Sequence, residues 1–159
     1  GIMRRAPRDS SDGIFAGGMG LDCLVQGAVI SALTLASYFL GLHLEGVSLG
    51  DVVSGAVDGR DGMTMAFLTL SMVEMFHSFN MRSRRQSLFT LPTQNKWLWL
   101  SFIGSLILTY LVIETSALSA AFGFAEISMA EYGIAMALAF SIIPIIEVYK
   151  AVMRSVERR

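Results

Sequence analysis

Residues 23–42 read CLVQGAVISALTLASYFLGL, a stretch of 20 residues without a charged side chain. A helix needs about 20 mostly apolar residues to cross the hydrocarbon layer of a bilayer, so this stretch predicts a transmembrane helix. The whole chain agrees in composition, since 53% of its 159 residues are hydrophobic and only 16% are charged. Soluble domains contain about 25% charged residues, and disordered chains are far less hydrophobic. The composition therefore favours a membrane protein.

Three further windows could cross a bilayer, and together with the first they predict an all-α fold of four transmembrane helices. The second window contains one carboxylate, Glu74, and the fourth contains Pro144 and Glu147 near its end. A soluble bundle is the alternative, but four such runs would leave it too little polar surface. We expect residues 1–20 to form a cytoplasmic loop before the first span and residues 21–159 to form the membrane domain. The predicted spans are residues 23–42, 62–80, 97–113 and 133–148.

The placement of basic residues predicts the orientation of the spans. If the four spans alternate in direction, eleven of the twelve basic residues fall on one side of the membrane, and Arg60 alone falls on the other. Cytoplasmic loops carry an excess of Lys and Arg, so both termini and the middle loop are predicted to be cytoplasmic. The eleven residues are Arg4, Arg5, Arg8, Arg82, Arg84, Arg85, Lys96, Lys150, Arg154, Arg158 and Arg159.

Charge and cysteine content disfavour two classes of protein. The formal net charge of −1 lacks the basic footprint of nucleic-acid-binding proteins, so we expect no nucleic-acid partner. The single cysteine, Cys23, excludes a disulfide framework. Because Cys23 lies in an apolar run, we expect it to be a small buried residue rather than a nucleophile.

No motif in the chain predicts catalysis. Residues 46–50 read GVSLG, the Gly-x-Ser-x-Gly pattern of hydrolases, but that motif requires a sheet for which this loop is too short. Ser48 is instead predicted to cap a short helix over residues 49–57. Phosphate-binding, dinucleotide-binding and metalloprotease motifs are absent from the sequence. We therefore expect no catalytic residue and no bound cofactor in these 159 residues.

Glu74 is the principal candidate site residue, because a carboxylate inside a membrane costs at least about 2.5–3.5 kcal/mol. Thr64, Ser71 and Ser78 lie within roughly 80° of Glu74 around the helix axis, at about 100° per residue. The four residues predict a polar stripe that faces protein or water rather than lipid. Such oxygen ligands suit a hard cation such as Ca²⁺. A hydrogen bond from Glu74 to a neighbouring helix, without any ion, would account for the stripe equally well.

Other polar residues in the predicted spans have structural interpretations. We expect His77 to form a hydrogen bond between helices rather than to bind a metal, and Glu147 to be ion-paired or to reach the interface. Pro144 should kink the fourth span and free the carbonyl of Phe140, four residues earlier.

The sequence also resembles a known family. Residues 62–89, GMTMAFLTLSMVEMFHSFNMRSRRQSLF, resemble the eighth transmembrane helix and the following loop of P-type cation-transporting ATPases. The similarity is greatest to calcium pumps of the sarco/endoplasmic-reticulum type and their bacterial relatives. Residues 3–9 and 13–18 resemble the loop between helices six and seven of those pumps, and residues 143–147 resemble helix ten.

This resemblance implies a C-terminal membrane domain, helices seven to ten, of a longer pump that exports Ca²⁺ with ATP and Mg²⁺. It implies an integral, multi-pass membrane protein. If the protein is bacterial, the resemblance implies that it lies in the plasma membrane. Its partners would be the lipid bilayer, the upstream transmembrane helices and the phosphorylation domain, which residues 2–20 would touch. Glu74 matches the position at which two-calcium pumps have an ion-site glutamate. In pumps that move one calcium, the same residue could instead serve proton countertransport.

The sequence leaves open both the identity of the transported ion and whether the chain takes part in transport. Sodium/potassium pumps usually have Asp at the position of Glu74 and a longer outside region than residues 41–61, and proton or manganese pumping would also suit a carboxylate. The chain could also be a stand-alone four-helix membrane protein that packs against partners without transporting anything.

Overall fold

The computed structural model describes residue 15 and residues 18–83, 86–87 and 96–157, except for the side chain of residue 157. The part of the chain within these ranges contains helices and no strand, which confirms the all-α prediction. Most of the predicted loop over residues 1–20 lies outside the described residues. The helices are α1 (Met19–Leu44), α2 (Leu49–Val53), α3 (Arg60–Asn80), α4 (Lys96–Glu114), α5 (Ser116–Phe122), α6 (Met129–Phe140) and α7 (Ile142–Glu157).

Three segments among the described residues are long and apolar enough to cross a membrane: α1, α4, and the 28-residue segment Met129–Val156 that contains α6 and α7. They contain three of the four predicted spans, and each is longer than the predicted window. The second predicted span forms α3, a helix of 21 residues that does not reach the same apolarity. Four spans are therefore not confirmed; three segments have the length and apolarity that a crossing requires.

The lower apolarity of α3 follows from its central position in the bundle. Ten of its residues are buried, compared with four in α1 and two in α4. A helix enclosed mostly by protein does not need an apolar exterior, so α3 can contain the polar residues that lower its mean hydropathy.

Close contact between α1 and α3 depends on two glycines. A Cβ atom added to Gly41 would lie 2.9 Å from the Cα of Gly62, and one added to Gly62 would lie 2.8 Å from the carbonyl oxygen of Tyr38. The buried hydroxyl of Thr69 donates a hydrogen bond of 2.7 Å to the hydroxyl oxygen of Ser37. Glycine thus allows the two backbones to meet, as small residues do between membrane helices. The hydroxyl pair joins the same two helices one to two turns away from the glycines.

The hydrophobic core lies where α3 meets α6, α7 and the end of α4. Two alanines of α6, Ala135 and Ala139, are completely buried and let this helix approach α3 closely. The core residues are Met65, Leu68, Met72, Val73, Ile113, Ile127, Ala135, Ala139, Ile142 and Ile146.

Serine caps begin two of the helices. The hydroxyl oxygen of Ser48 accepts a hydrogen bond from the backbone N–H of Asp51, and the Asp51 carboxylate accepts one from the backbone N–H of Ser48. Ser128 and Glu131 form the same reciprocal arrangement at the start of α6. Ser48 is therefore a helix cap, as predicted, and not a nucleophile. The predicted short helix begins where expected but ends at Val53 instead of Val57, because a turn with a left-handed Gly55 follows it.

The fourth predicted span contains a break at Ser141, which separates α6 from α7. Pro144 has no N–H to donate to the carbonyl of Phe140, so the helical hydrogen-bond ladder is interrupted at this point. The hydroxyl of Ser141 donates a hydrogen bond of 2.6 Å to the carbonyl of Leu138. The helix is thus interrupted three residues before Pro144, and a kink at Pro144 stays a prediction.

Candidate functional site

The helix α3 presents a buried face to the bundle and an exposed face to the outside. Thr64, Leu68 and Met72 lie on the buried face, whereas Leu70 and Glu74 lie on the exposed one. These positions agree with a periodicity of about 100° per residue, which places residues 70 and 74 on the same side. The exposed face is thus apolar with one carboxylate.

Glu74 lies six residues before Asn80, about 9 Å from the end of α3 at 1.5 Å per residue. It is exposed, and no hydrogen bond or salt bridge links it to another described residue. The helices that contact α3 within the described residues leave the Glu74 side chain exposed. That Glu74 faces protein or water rather than lipid stays a prediction.

The predicted stripe partners are divided between the two faces of α3. Thr64 is fully buried: its hydroxyl donates to the carbonyl of Arg60 at 2.8 Å and accepts from the N–H of Ala125 at 2.9 Å. Ser71 and Ser78 are half-buried, and the Ser78 hydroxyl donates to the carbonyl of Met75 at 2.6 Å. Thr64 thus has a structural role, whereas Ser71 and Ser78 lie between it and the exposed Glu74 face.

One turn beyond Glu74, His77 contacts α1. The Nε2 atom of buried His77 lies 3.1 Å from Oε1 of Gln26, a hydrogen bond between helices as predicted. The Nδ1 atom of His77 has no hydrogen-bond partner among the described residues.

Lys150 of α7 reaches the last residue of α3. Its ammonium is almost completely buried, with 3% of the side chain exposed, and donates a hydrogen bond of 2.6 Å to the backbone carbonyl of Asn80. Glu147, one turn earlier on α7, lies 4.0 Å from the same ammonium, which confirms the ion pair expected for this residue. The amide of Asn80 also approaches the carbonyl of Ile142 at 3.5 Å.

A third contact at this end of the bundle joins α7 to α1. The hydroxyl of Tyr149 donates a hydrogen bond of 2.7 Å to the carboxylate of Asp22, which is 5% exposed. Asp22, Gln26, Asn80 and Lys150 line a cavity of about 100 Å³ between α1, α3 and α7.

Sequence reasoning did not identify this polar cluster, although one signal for it existed. Asp22 and Gln26 are four residues apart, so they lie on one face of α1, and Lys150 lies within the apolar last segment. Their contacts to α3 and α7 depend on tertiary packing, which spacing within a helix does not predict.

Cys23 is exposed, so the prediction that it is buried is wrong. Four residues of α1 are buried, and the rest of its surface is not covered by the described helices. Burial of this cysteine was inferred from its apolar neighbours, but these neighbours are themselves exposed, as for Leu21 and Leu24.

Within the described ranges, no group of three or more His, Cys, Asp or Glu side chains could hold a metal ion. Ca²⁺ takes six to eight oxygen ligands. Glu74 with the neighbouring hydroxyls provides fewer oxygen atoms than this number.

Comparison with known proteins gives a consistent set of relatives. Calcium-transporting ATPase 1 of Bacillus cereus is 29% identical over 152 residues, which cover 91% of this chain and 17% of the relative. An endoplasmic reticulum-type calcium-transporting ATPase 3 of Arabidopsis thaliana is 26% identical over 99% of this chain and 18% of the relative. A calcium-transporting ATPase of Listeria monocytogenes is 27% identical over 95% of this chain and 16% of its own length. The chain thus spans less than a fifth of the length of these relatives.

The family match covers almost all of the chain. Residues 1–152 match the family described as the C-terminus of cation transporting ATPases. The relatives are P-type calcium-transporting ATPases of bacterial and endoplasmic-reticulum type, in agreement with the resemblance noted in the sequence. The chain therefore belongs to the family of cation-transporting P-type ATPase C-terminal domains.

Proposed function

We propose that this chain is the C-terminal membrane domain of an ATP-driven pump that transports Ca²⁺. In this proposal the chain crosses the membrane four times, with α3 as the additional crossing and with both termini in the cytoplasm. ATP and Mg²⁺ act in the rest of the pump, since the chain has no motif that binds nucleotide. The calcium-transporting relatives support the choice of ion.

The observation that carries the proposal is the exposure of Glu74 on the outer face of a buried helix. A carboxylate facing lipid at this depth would be unfavourable by at least about 2.5–3.5 kcal/mol. Intramembrane acids face protein or a water-filled cavity and mark ion or proton pathways. We infer that upstream helices of the parent pump cover this face, and that Glu74 contributes a carboxylate to Ca²⁺ or to a countertransported proton.

In this proposal the other helices act as a scaffold. The contacts of α3 with α1, α6 and α7 hold it from the side opposite Glu74. The exposed carboxylate is then presented to the transport helices on a fixed support. The phosphorylation domain and the upstream helices are the partners that this arrangement requires, together with a bilayer around the apolar surfaces of α1, α4 and α7.

The test is calcium-dependent ATP hydrolysis and transport by the full-length pump carrying Glu74→Gln. Glu126→Gln is the matched control, because Glu126 is an exposed glutamate outside the helices. We expect Glu74→Gln to raise the half-saturating Ca²⁺ concentration, or to lower proton countertransport, about tenfold. Unchanged calcium affinity, stoichiometry and proton countertransport would remove Glu74 from the mechanism.

The stand-alone alternative has a simpler test in the reading frame upstream of residue 1. A parent pump requires a phosphorylation motif, Asp-Lys-Thr-Gly-Thr, in the same frame. An upstream frame without this motif would favour a non-transporting membrane module.

A further inference from the structure

The last turn of α3 ends at a point where its backbone carbonyls need partners from outside the helix. The final four carbonyls of an α-helix have no intrahelical N–H to accept from. At the end of α3, the carbonyl of Asn80 accepts from the ammonium of Lys150 at 2.6 Å. A cation at this position also interacts favourably with the negative end of the helix dipole.

The burial of Lys150 makes this contact unusual. A lysine is almost never fully buried unless it is paired. Lys150 is 2% exposed, and its ammonium lies 4.0 Å from the Glu147 carboxylate and 2.6 Å from the carbonyl of Asn80. An apolar residue of similar length would occupy this place without the desolvation cost of an ammonium. The ion pair with Glu147 stays within α7, whereas the shorter contact with the Asn80 carbonyl joins α7 to α3 and requires a donor.

The contact joins the final helix to the helix that carries Glu74. From Glu74 to Asn80 there are six residues, less than two helical turns. The amide of Asn80 approaches the carbonyl of Ile142, so side chain and backbone of the same residue both contact α7. The Glu74 side chain itself is exposed, so the contacts of the buried residues of α3 determine the position of this end of the helix.

We infer that Lys150 is a positioning residue for Glu74: its ammonium fixes the end of α3, and so the rotation and depth at which the Glu74 carboxylate is presented to the rest of the pump. This inference rests on the proposed function of Glu74. Lys150 itself does not touch the ion. It acts through the carbonyl of Asn80 and the six residues of α3 that separate Asn80 from Glu74.

The chain offers a matched control in the neighbouring residue. Tyr149 also makes a partly buried contact from α7, but its hydroxyl donates to Asp22 on α1 and not to α3. Tyr149→Phe removes one hydrogen bond from the same turn of α7 and leaves the Lys150–Asn80 contact intact. Lys150→Met removes the ammonium and keeps an unbranched side chain that fills the same space.

The experiment measures Ca²⁺-dependent ATP hydrolysis and amide hydrogen exchange in the full-length pump. We expect Lys150→Met to raise the half-saturating Ca²⁺ concentration about fivefold or more, with the maximal rate largely retained. Amide exchange over residues 77–80 should become faster in the same variant. Tyr149→Phe should change neither quantity. Lys150→Gln, a milder variant measured alongside, should shift both in the same direction if Lys150→Met accumulates poorly.

The outcomes separate this inference from the proposed function. If Glu74→Gln alters the calcium dependence and the Lys150 variants do not, Lys150 has no positioning role. An equal shift in Tyr149→Phe would also overturn the inference, because it would indicate a general effect of loosening α7. If Glu74→Gln has no effect, the proposed function fails, and the positioning role fails with it, whatever the exchange data show about the end of α3.

Discussion

At the scale of single residues, Thr64 joins α3 to the segment before α6. Its hydroxyl donates to Arg60 in the first turn of α3 and accepts from the backbone N–H of Ala125 in the segment before α6. The residue is completely buried, so no water can replace either bond without a rearrangement. The stripe pattern in the sequence identified Thr64 as polar and helical but assigned it to the Glu74 face.

We predict that Thr64→Val destabilises the protein by about 1–3 kcal/mol, because the partly buried N–H of Ala125 would lose its acceptor. Thermal unfolding of the purified protein in detergent measures this loss. Thr115→Val is the control, since Thr115 is exposed and its side chain makes no capping hydrogen bond. Equal stability of the two variants would contradict the role assigned to Thr64.

Glu74 shows what can be predicted about a site residue from sequence. A lone carboxylate in an apolar window identifies a candidate because of its desolvation cost. The direction in which Glu74 points depends on which faces of α3 are covered by α1, α6 and α7. Periodicity gives only relative angles around a helix, so it predicts that Glu74 and Thr64 lie near each other. It does not show that Thr64 is buried in the bundle while Glu74 is exposed.

At the scale of helices, α1 and α3 approach each other closely at Gly41 and Gly62. Both positions require the absence of a Cβ atom, because the nearest atom that it would meet belongs to the backbone of the other helix and cannot move aside. The sequence predicted both helices but not this contact, since glycines at the ends of predicted spans are equally consistent with turns.

We predict that Gly62→Ala destabilises the bundle by about 1–3 kcal/mol, because its Cβ would overlap the carbonyl oxygen of Tyr38 and force the helices apart. Gly104→Ala in α4 is the matched control, since no atom lies within 4 Å of the Cβ it would add. This control should be neutral or stabilising, as alanine is the better helix former. Thermal unfolding of both variants tests the prediction, and a Gly62→Ala protein as stable as the control would contradict it.

The cap of α2 gives a prediction for pH dependence. Hydrogen bonds from the hydroxyl and backbone N–H of Ser48 hold the pKa of the Asp51 carboxyl below its usual value of 3.8. A lowered pKa means that the cap stabilises α2 at pH values above 3.8, and that this contribution is lost as the pH falls through the lowered pKa. Titration of the Asp51 side chain by NMR should give a midpoint below 3.8, and Ser48→Ala should raise that midpoint. A midpoint that is the same in both proteins would contradict this account of the cap.

At the scale of the whole molecule, the sequence predicted the apolar segments better than their arrangement. Four windows corresponded to α1, α3, α4 and the α6–α7 segment, because long uncharged runs are a strong signal. The central position of α3 was not predicted, although its lower apolarity and its polar residues are typical of a helix that protein surrounds. The polar cluster of Asp22, Gln26, Asn80 and Lys150 was missed for the same reason, since it forms only when three helices meet.

The central claim is that the Glu74 face of α3 is covered by the rest of a longer pump. The most direct measurement places a spin label at position 74 of the full-length pump and measures its accessibility to a quencher dissolved in lipid. A label at Ile103 is the comparison, because Ile103 is exposed on α4. Ile103 is adjacent to Phe102, whose ring contacts Phe76 of α3, so its depth is similar to that of Glu74. The account predicts that the label at position 74 is protected while the label at position 103 is accessible. Equal accessibility of both labels to the lipid-dissolved quencher would contradict it.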